Sequence, residues 1–121
     1  MWTQAYSKVY QGIKKETVWK LWADVNHYTK WHAGLDYCKL ESDFSVGNHF
    51  MLKPKGAPAV KVVITELLEN KRFVDCTSFL GAKMYDIHEI EELNDGVKIS
   101  NTIQVIGLLS FVSRTYRFNL Y

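Results

Sequence analysis

Residues 16–35, ETVWKLWADVNHYTKWHAGL, decide how the rest of the chain is read. Val18, Leu21, Trp22 and Val25 stand at i, i+3, i+4 and i+7, one apolar stripe of a helix with Lys20 and Asp24 turned to water. Asn26 is placed to cap a second short turn on which Tyr28 and Trp31 share a side, so two helical pieces with Trp19, Trp22 and Trp31 close together are expected. A face this heavy needs a broad apolar partner, and the flanking segments read as strands.

Upstream, residues 2–10 alternate, with Trp2, Gln4, Tyr6, Lys8 and Tyr10 on one side, and Gly12 ends the strand. Downstream, residues 36–41 and 48–53 form a hairpin across the turn at 43–47, with Phe50 and Leu52 on one face. Lys55-Gly56-Ala57-Pro58 breaks the chain. Strands follow at 60–68, with Val60, Val62 and Ile64 on one face, at 72–80 and at 84–93. Asn94-Asp95-Gly96 is the clearest tight turn, because Asn, Asp and Gly tolerate positive φ. In the strand after it, Val97, Ile99, Ile103 and Val105 share a face with Asn101. From Gly107 the period changes to that of a helix, through Leu108, Phe111, Val112 and Thr115. Strand, two helices, six strands and a helix joined by short turns make an antiparallel sheet and an α+β class.

With 121 residues the chain suits a single domain, 1–121. Its 15 Lys and Arg balance 13 Asp and Glu with no basic run, which leaves no electrostatic footprint for nucleic acid. The N-terminus lacks a basic region followed by an apolar run, and residues 105–112 are too short a stretch to span a bilayer, so a soluble cytoplasmic protein without membrane insertion is expected. Cys38 and Cys76 lack CxxC spacing and read as buried apolar residues of a reducing compartment.

The segments ETVWKLWADVNHYTKWHAGL, VGNHFMLKPKG, VVITELLENKRFV and LNDGVKISNTIQVIGLLSF resemble, in order and spacing, the polyketide cyclase/dehydrase branch of the START-like (SRPBCC) lipid-transfer superfamily. The resemblance covers nearly all of the chain from about Val9. It implies a helix-grip fold: a curved antiparallel sheet of about seven strands around a C-terminal helix, with an elongated apolar cavity between. It further implies a binding protein for a small hydrophobic molecule. The alternatives are a cyclase or dehydratase working by general acid/base on a polyketide-like substrate, and a protein-interaction module, since some relatives activate chaperones through their outer surface. The resemblance implies a longer last helix than the stretch from Gly107 supplies, so either a shortened helix or a cavity closed by something else is expected, and with it a homodimer or a bound ligand to cover apolar surface.

Candidate site residues follow from both lines. Trp31 lies where the resemblance puts the cavity mouth. Phe50, Leu52, Ile103 and Phe111 are apolar lining, and Arg72 and Asn101 are inward polar groups that would orient a ligand. His88, Asp75 and Tyr85 are the candidates for moving a proton. If its face is concave, Asp75 is desolvated and its pKa raised. No metal site is expected, since His27 and His32 are five apart and no HExxH pattern occurs. No cofactor is expected either: the glycines are scattered as turn residues, and no nucleophile stands in a recognised setting.

Overall fold

The computed structural model of the protein describes residues 1–107. Seven strands, β1 (Trp2–Gln11), β2 (Leu35–Leu40), β3 (His49–Pro54), β4 (Val60–Leu68), β5 (Arg72–Phe79), β6 (Ala82–Leu93) and β7 (Gly96–Gly107), form one sheet in the order β1-β7-β6-β5-β4-β3-β2. Every neighbouring pair is antiparallel. From β2 to β7 the chain runs as a meander, and only β1 is brought to the sheet from a distance, against β7. The helix expected from Gly107 onward, and with it Phe111, lies outside the described residues.

Register shifts in β2, between Leu35 and Tyr37, and in β4, between Ile64 and Glu66, bend the sheet. Its concave face receives α1 (Lys15–Ala23) and a 3₁₀ helix (Val25–Lys30). In α1 the acidic residue of the first turn is Glu16 and the basic residue of the last turn is Lys20, both favourable to the helix dipole. Val18 and Trp22, one turn apart, are buried with Val25 and Tyr28 against Leu35, Cys38, Phe50, Leu52, Val62, Ile64, Phe73, Ile90 and Val97. Trp22, at 4% exposure, sits 6.4 Å from the Phe73 ring, and Tyr28 meets Phe50 edge-on at 6.2 Å.

Two local expectations change. Leu21 stays half exposed, because α1 ends at Ala23 and the contact row runs Val18–Trp22, leaving Leu21 at the rim. Asn26 does not cap the second turn. Its amide instead accepts from the Leu40 backbone N–H at 2.8 Å and donates to the Leu40 carbonyl at 3.2 Å, pinning the 3₁₀ helix to the end of β2. Cys38 and Cys76 are both buried free thiols. Cys38 packs in the concave core, whereas Cys76 pairs with Val63 and Tyr85 on the alternate, convex parity of β5.

A second, smaller apolar cluster, Ala82, Met84, Ile103 and Val105 with Trp2 against it, occupies the other end of the concave face. Between the two clusters the sheet carries polar side chains.

Candidate functional site

The polar residues between the clusters follow from strand parity. Phe73, Asp75 and Thr77 alternate on β5, Met84, Asp86, His88 and Ile90 on β6, and Ile99, Asn101 and Ile103 on β7. The register then places Phe73, His88, Asn101 and Tyr6 across one rung, and Ile64, Asp75, Asp86, Ile103 and Gln4 across the next. Two carboxyls, one imidazole and one amide thus face the core side by side. Asp75, Asp86 and His88 are each 2% exposed and Asn101 is 3% exposed.

His88 is held from three sides. Its ring stacks on Phe73 at 4.6 Å and 12°, the Trp22 ring covers it at 5.4 Å, and its Nδ1 lies 3.1 Å from the Phe73 carbonyl oxygen. A carbonyl oxygen only accepts, so Nδ1 carries the hydrogen and Nε2 is turned toward Asp86 Oδ1, 3.5 Å away. The same Asp86 oxygen accepts a short hydrogen bond from Asn101 Nδ2, which also reaches the Ile87 carbonyl at 3.5 Å. Asp75 has no such support. Its Oδ2 is buried with no hydrogen-bond partner among the described residues.

The electrostatics follow from this geometry. Burial pushes the Asp75 carboxyl well above the usual carboxylate range, and the negative charge of Asp86 adds to the rise. Asp86 is raised by burial as well, against the pull of His88 and of the Asn101 hydrogen bond. Burial and then the Asp75 charge lift Tyr28 far above a normal phenol, and its hydroxyl donates to the Trp22 carbonyl. The same two causes push the Cys38 thiol up to about 12.

The other candidates separate by face. Phe50, Leu52 and Ile103 line the concave core. Tyr85 and Arg72 do not face inward: each has the parity opposite to its buried neighbours, Asp86 and Phe73, and so stands on the convex side. Arg72 bridges Glu66 at 2.8 Å and Glu89 at 3.0 Å there, and Tyr85 joins it around a shallow convex depression with Val74, Ile87 and Gln104. Asp86 was not anticipated as a site residue. The available signal is its i, i+2 spacing from His88 on a strand whose same-face neighbours, Met84 and Ile90, are apolar.

Trp31 is half-buried against Tyr28 at 5.2 Å and borders an almost wholly apolar opening of about 240 Å³ between α1 and the β1–β7 edge of the concave face. Val18, Leu21 and Trp22 form its helical wall, and Tyr10 and Ile99 its sheet wall. Trp22 therefore has one side in the opening and the other against His88.

A family model described as "Activator of Hsp90 ATPase homolog 1-like protein" matches residues 13–107. The chain belongs to the AHSA1-like family. Solved structures agree on the fold at low identity. The hypothetical protein jhp0584 from Helicobacter pylori is 15% identical with a TM-score of 0.73, over 91% of this chain and 73% of that one. A START superfamily protein from Mycobacterium smegmatis is 14% identical with a TM-score of 0.71, over 87% and 77%. Ara h 8.0201 is 12% identical with a TM-score of 0.67, over 88% and 78%. No curated protein sequence matches the chain significantly. The helix-grip fold and membership of the START-like superfamily are as the resemblance implied, and within it the family is the AHSA1-like one. Among the described residues no helix is long and apolar enough to cross a membrane.

Proposed function

We propose that this AHSA1-like protein is a cytoplasmic carrier that binds a small, largely apolar molecule on the concave face, entering beside Trp31. One observation carries the reading: an opening of about 240 Å³ walled by Val18, Leu21, Trp22, Trp31, Tyr10 and Ile99, in which half-exposed Leu21 offers apolar surface to whatever enters. Burial of apolar area at about 25 cal/mol per Å² supplies the affinity. Native mass spectrometry of protein purified without additives, followed by denaturing extraction, tests it. The expected result is a co-purifying apolar compound that is lost in Leu21→Asp; an empty wild-type protein that also fails to take up long-chain fatty acids, alcohols or sterols sinks the reading. The same spectra report whether the protein is a dimer.

Two further readings each have one observation behind them. The pairing of His88 with Asp86 suits a proton-transfer enzyme of the cyclase or dehydratase kind, provided a substrate reaches past Trp22. In that case His88→Ala lowers turnover by about a hundredfold or more. The family's description favours an activator of a chaperone ATPase, which stimulation of that ATPase by added protein would reveal.

A further inference from the structure

The group Asp75, Asp86, His88 and Asn101 poses a problem of charge that the apolar-ligand reading does not use. His88 Nδ1 is committed to the Phe73 carbonyl, so a neutral imidazole turns the lone pair of Nε2 toward an Asp86 oxygen only 3.5 Å away. That oxygen already accepts from Asn101. Across the rung stands Asp75, whose Oδ2 is buried and meets no donor among the described residues. Three electron-rich atoms therefore converge: one ligand atom each from Asp75, Asp86 and His88 lies within 4.8 Å of the other two. An imidazolium would compensate Asp86 and still leave the Asp75 oxygen without a partner among the described residues. A single dication would answer all three.

We propose that Asp75, Asp86 and His88 form a binding site for one divalent transition-metal ion, with Nε2 of His88 and one oxygen from each carboxylate as ligands. The donor set is mixed. Imidazole selects for zinc and its neighbours and carboxylates for harder ions such as manganese, so Zn²⁺ or Mn²⁺ suits the site better than Ca²⁺, which takes about six to eight oxygens. The spacing fits, since ligand atoms at about 2.1 Å from a tetrahedral ion stand about 3.4 Å apart. The Asp86–His88 separation of 3.5 Å is already there, and the Asp75 ligand atom lies within 4.8 Å of both. The outer contacts match what metal-bound residues need: the far ring nitrogen of His88 donates to a backbone carbonyl, and Asn101 fixes the Asp86 oxygen. The Trp22 ring lies against His88 and also lines the apolar opening.

This spacing is invisible to helix-based metal patterns, because two ligands lie at i, i+2 on one strand and the third faces them from the next. The proposal is independent of whether an apolar molecule fills the opening.

The test uses full-length protein stripped with EDTA and titrated with Zn²⁺, and separately with Mn²⁺. Calorimetry and native mass spectrometry are expected to show one ion per chain, and thermal unfolding a midpoint that rises with ion concentration. In long-range ¹H–¹⁵N spectra of the histidine rings, Zn²⁺ is expected to shift Nε2 of His88 while its Nδ1 keeps the proton. Asp75→Asn and Asp86→Asn should each weaken binding by about a hundredfold or more, beyond the 10–100-fold typical of losing an outer-shell partner. Replacement of His27, His32 and His49 together should leave it unchanged. Failure of the wild type to take up either ion overturns the proposal, as does uptake by Asp75→Asn equal to wild type. A histidine spectrum in which only His27, His32 or His49 responds overturns it too. The spectrum decides the matter even if Asp86→Asn does not fold.

Discussion

Asp75→Asn tests the electrostatics of the concave face, because it removes a charge while keeping the shape. In metal-free protein Asp75 is buried at 2% exposure with an orphaned oxygen, and its negative neighbour Asp86 stands directly across the rung. Leaving a buried polar group unsatisfied costs about 1–3 kcal/mol, and more for a charged one. The sign with pH follows from the raised pKa. An unfolded aspartate titrates near a pKa of about 3.9, and the folded one holds its proton to higher pH. The folded state therefore binds the extra proton. Stability is fully present below the unfolded pKa and is lost as pH rises through the folded one, at up to about 1.4 kcal/mol per pH unit for one proton. Asparagine has no such loss, and its amide can donate toward Asp86. Urea denaturation of both proteins in EDTA is expected to find Asp75→Asn more stable by about 1–3 kcal/mol or more at pH 7.5, with the difference shrinking toward pH 4. In thermal unfolding this corresponds to roughly 4 °C per kcal/mol. A variant less stable than wild type at pH 7.5, or a difference that does not change with pH, would refute the reasoning. The mutation expected to weaken ion binding is thus the one expected to stabilise the stripped protein.

Other outcomes follow from packing and chain geometry. Trp22→Ala should cost about 3–5 kcal/mol in urea denaturation, since it removes a 4%-exposed indole packed against both Phe73 and His88. Neither thiol should react with an aromatic disulfide reagent at pH 8 in folded protein, and both should react in denaturant, because Cys38 is buried with a pKa of about 12 and Cys76 is buried too. Gly96→Ala should lower stability by more than about 1 kcal/mol, measured by thermal unfolding, because a Cβ there would stand 2.0 Å from the Tyr10 carbonyl oxygen of the neighbouring strand.

Much of this architecture was legible because strand periodicity and turn chemistry are local. The Asn94-Asp95-Gly96 turn fixes the β6–β7 hairpin, and the face shared by Val97, Ile99, Asn101, Ile103 and Val105 is the concave one in the structure. What alternation leaves open is which side of a strand is inside. For β5 the bulge between Ile64 and Glu66 separates the parity of its neighbour from its own, so Asp75 could have stood in water. Once Asp75 is inside, Arg72 must be outside, and once Asp86 and His88 are inside, so must Tyr85. Asp86 was hidden because a carboxylate on a mixed strand reads as solvent-facing. Only the cross-strand register, which joins residues 11 apart in sequence, sets it against Asp75. Leu21 and Asn26 show the other limit: the core row of α1 runs through Val18 and Trp22 and leaves Leu21 at its rim, and Asn26 is taken by the Leu40 backbone, a contact 14 residues away that no local pattern reveals.

The sheet order carries a kinetic consequence. β1 pairs along its whole length with β7, Trp2 opposite Val105 and Gln11 opposite Gly96, so its hydrogen-bonding partner is the last strand of the sheet to be made. At about 5–20 residues per second of synthesis, β1 waits on the order of five to twenty seconds before β7 exists. During that interval a ten-residue strand bearing Trp2, Tyr6 and Tyr10 is without its native neighbour. Contacts this distant slow the final docking step. Of the seven described strands the first is therefore the last to gain its partner, and the one most in need of protection on a nascent polypeptide.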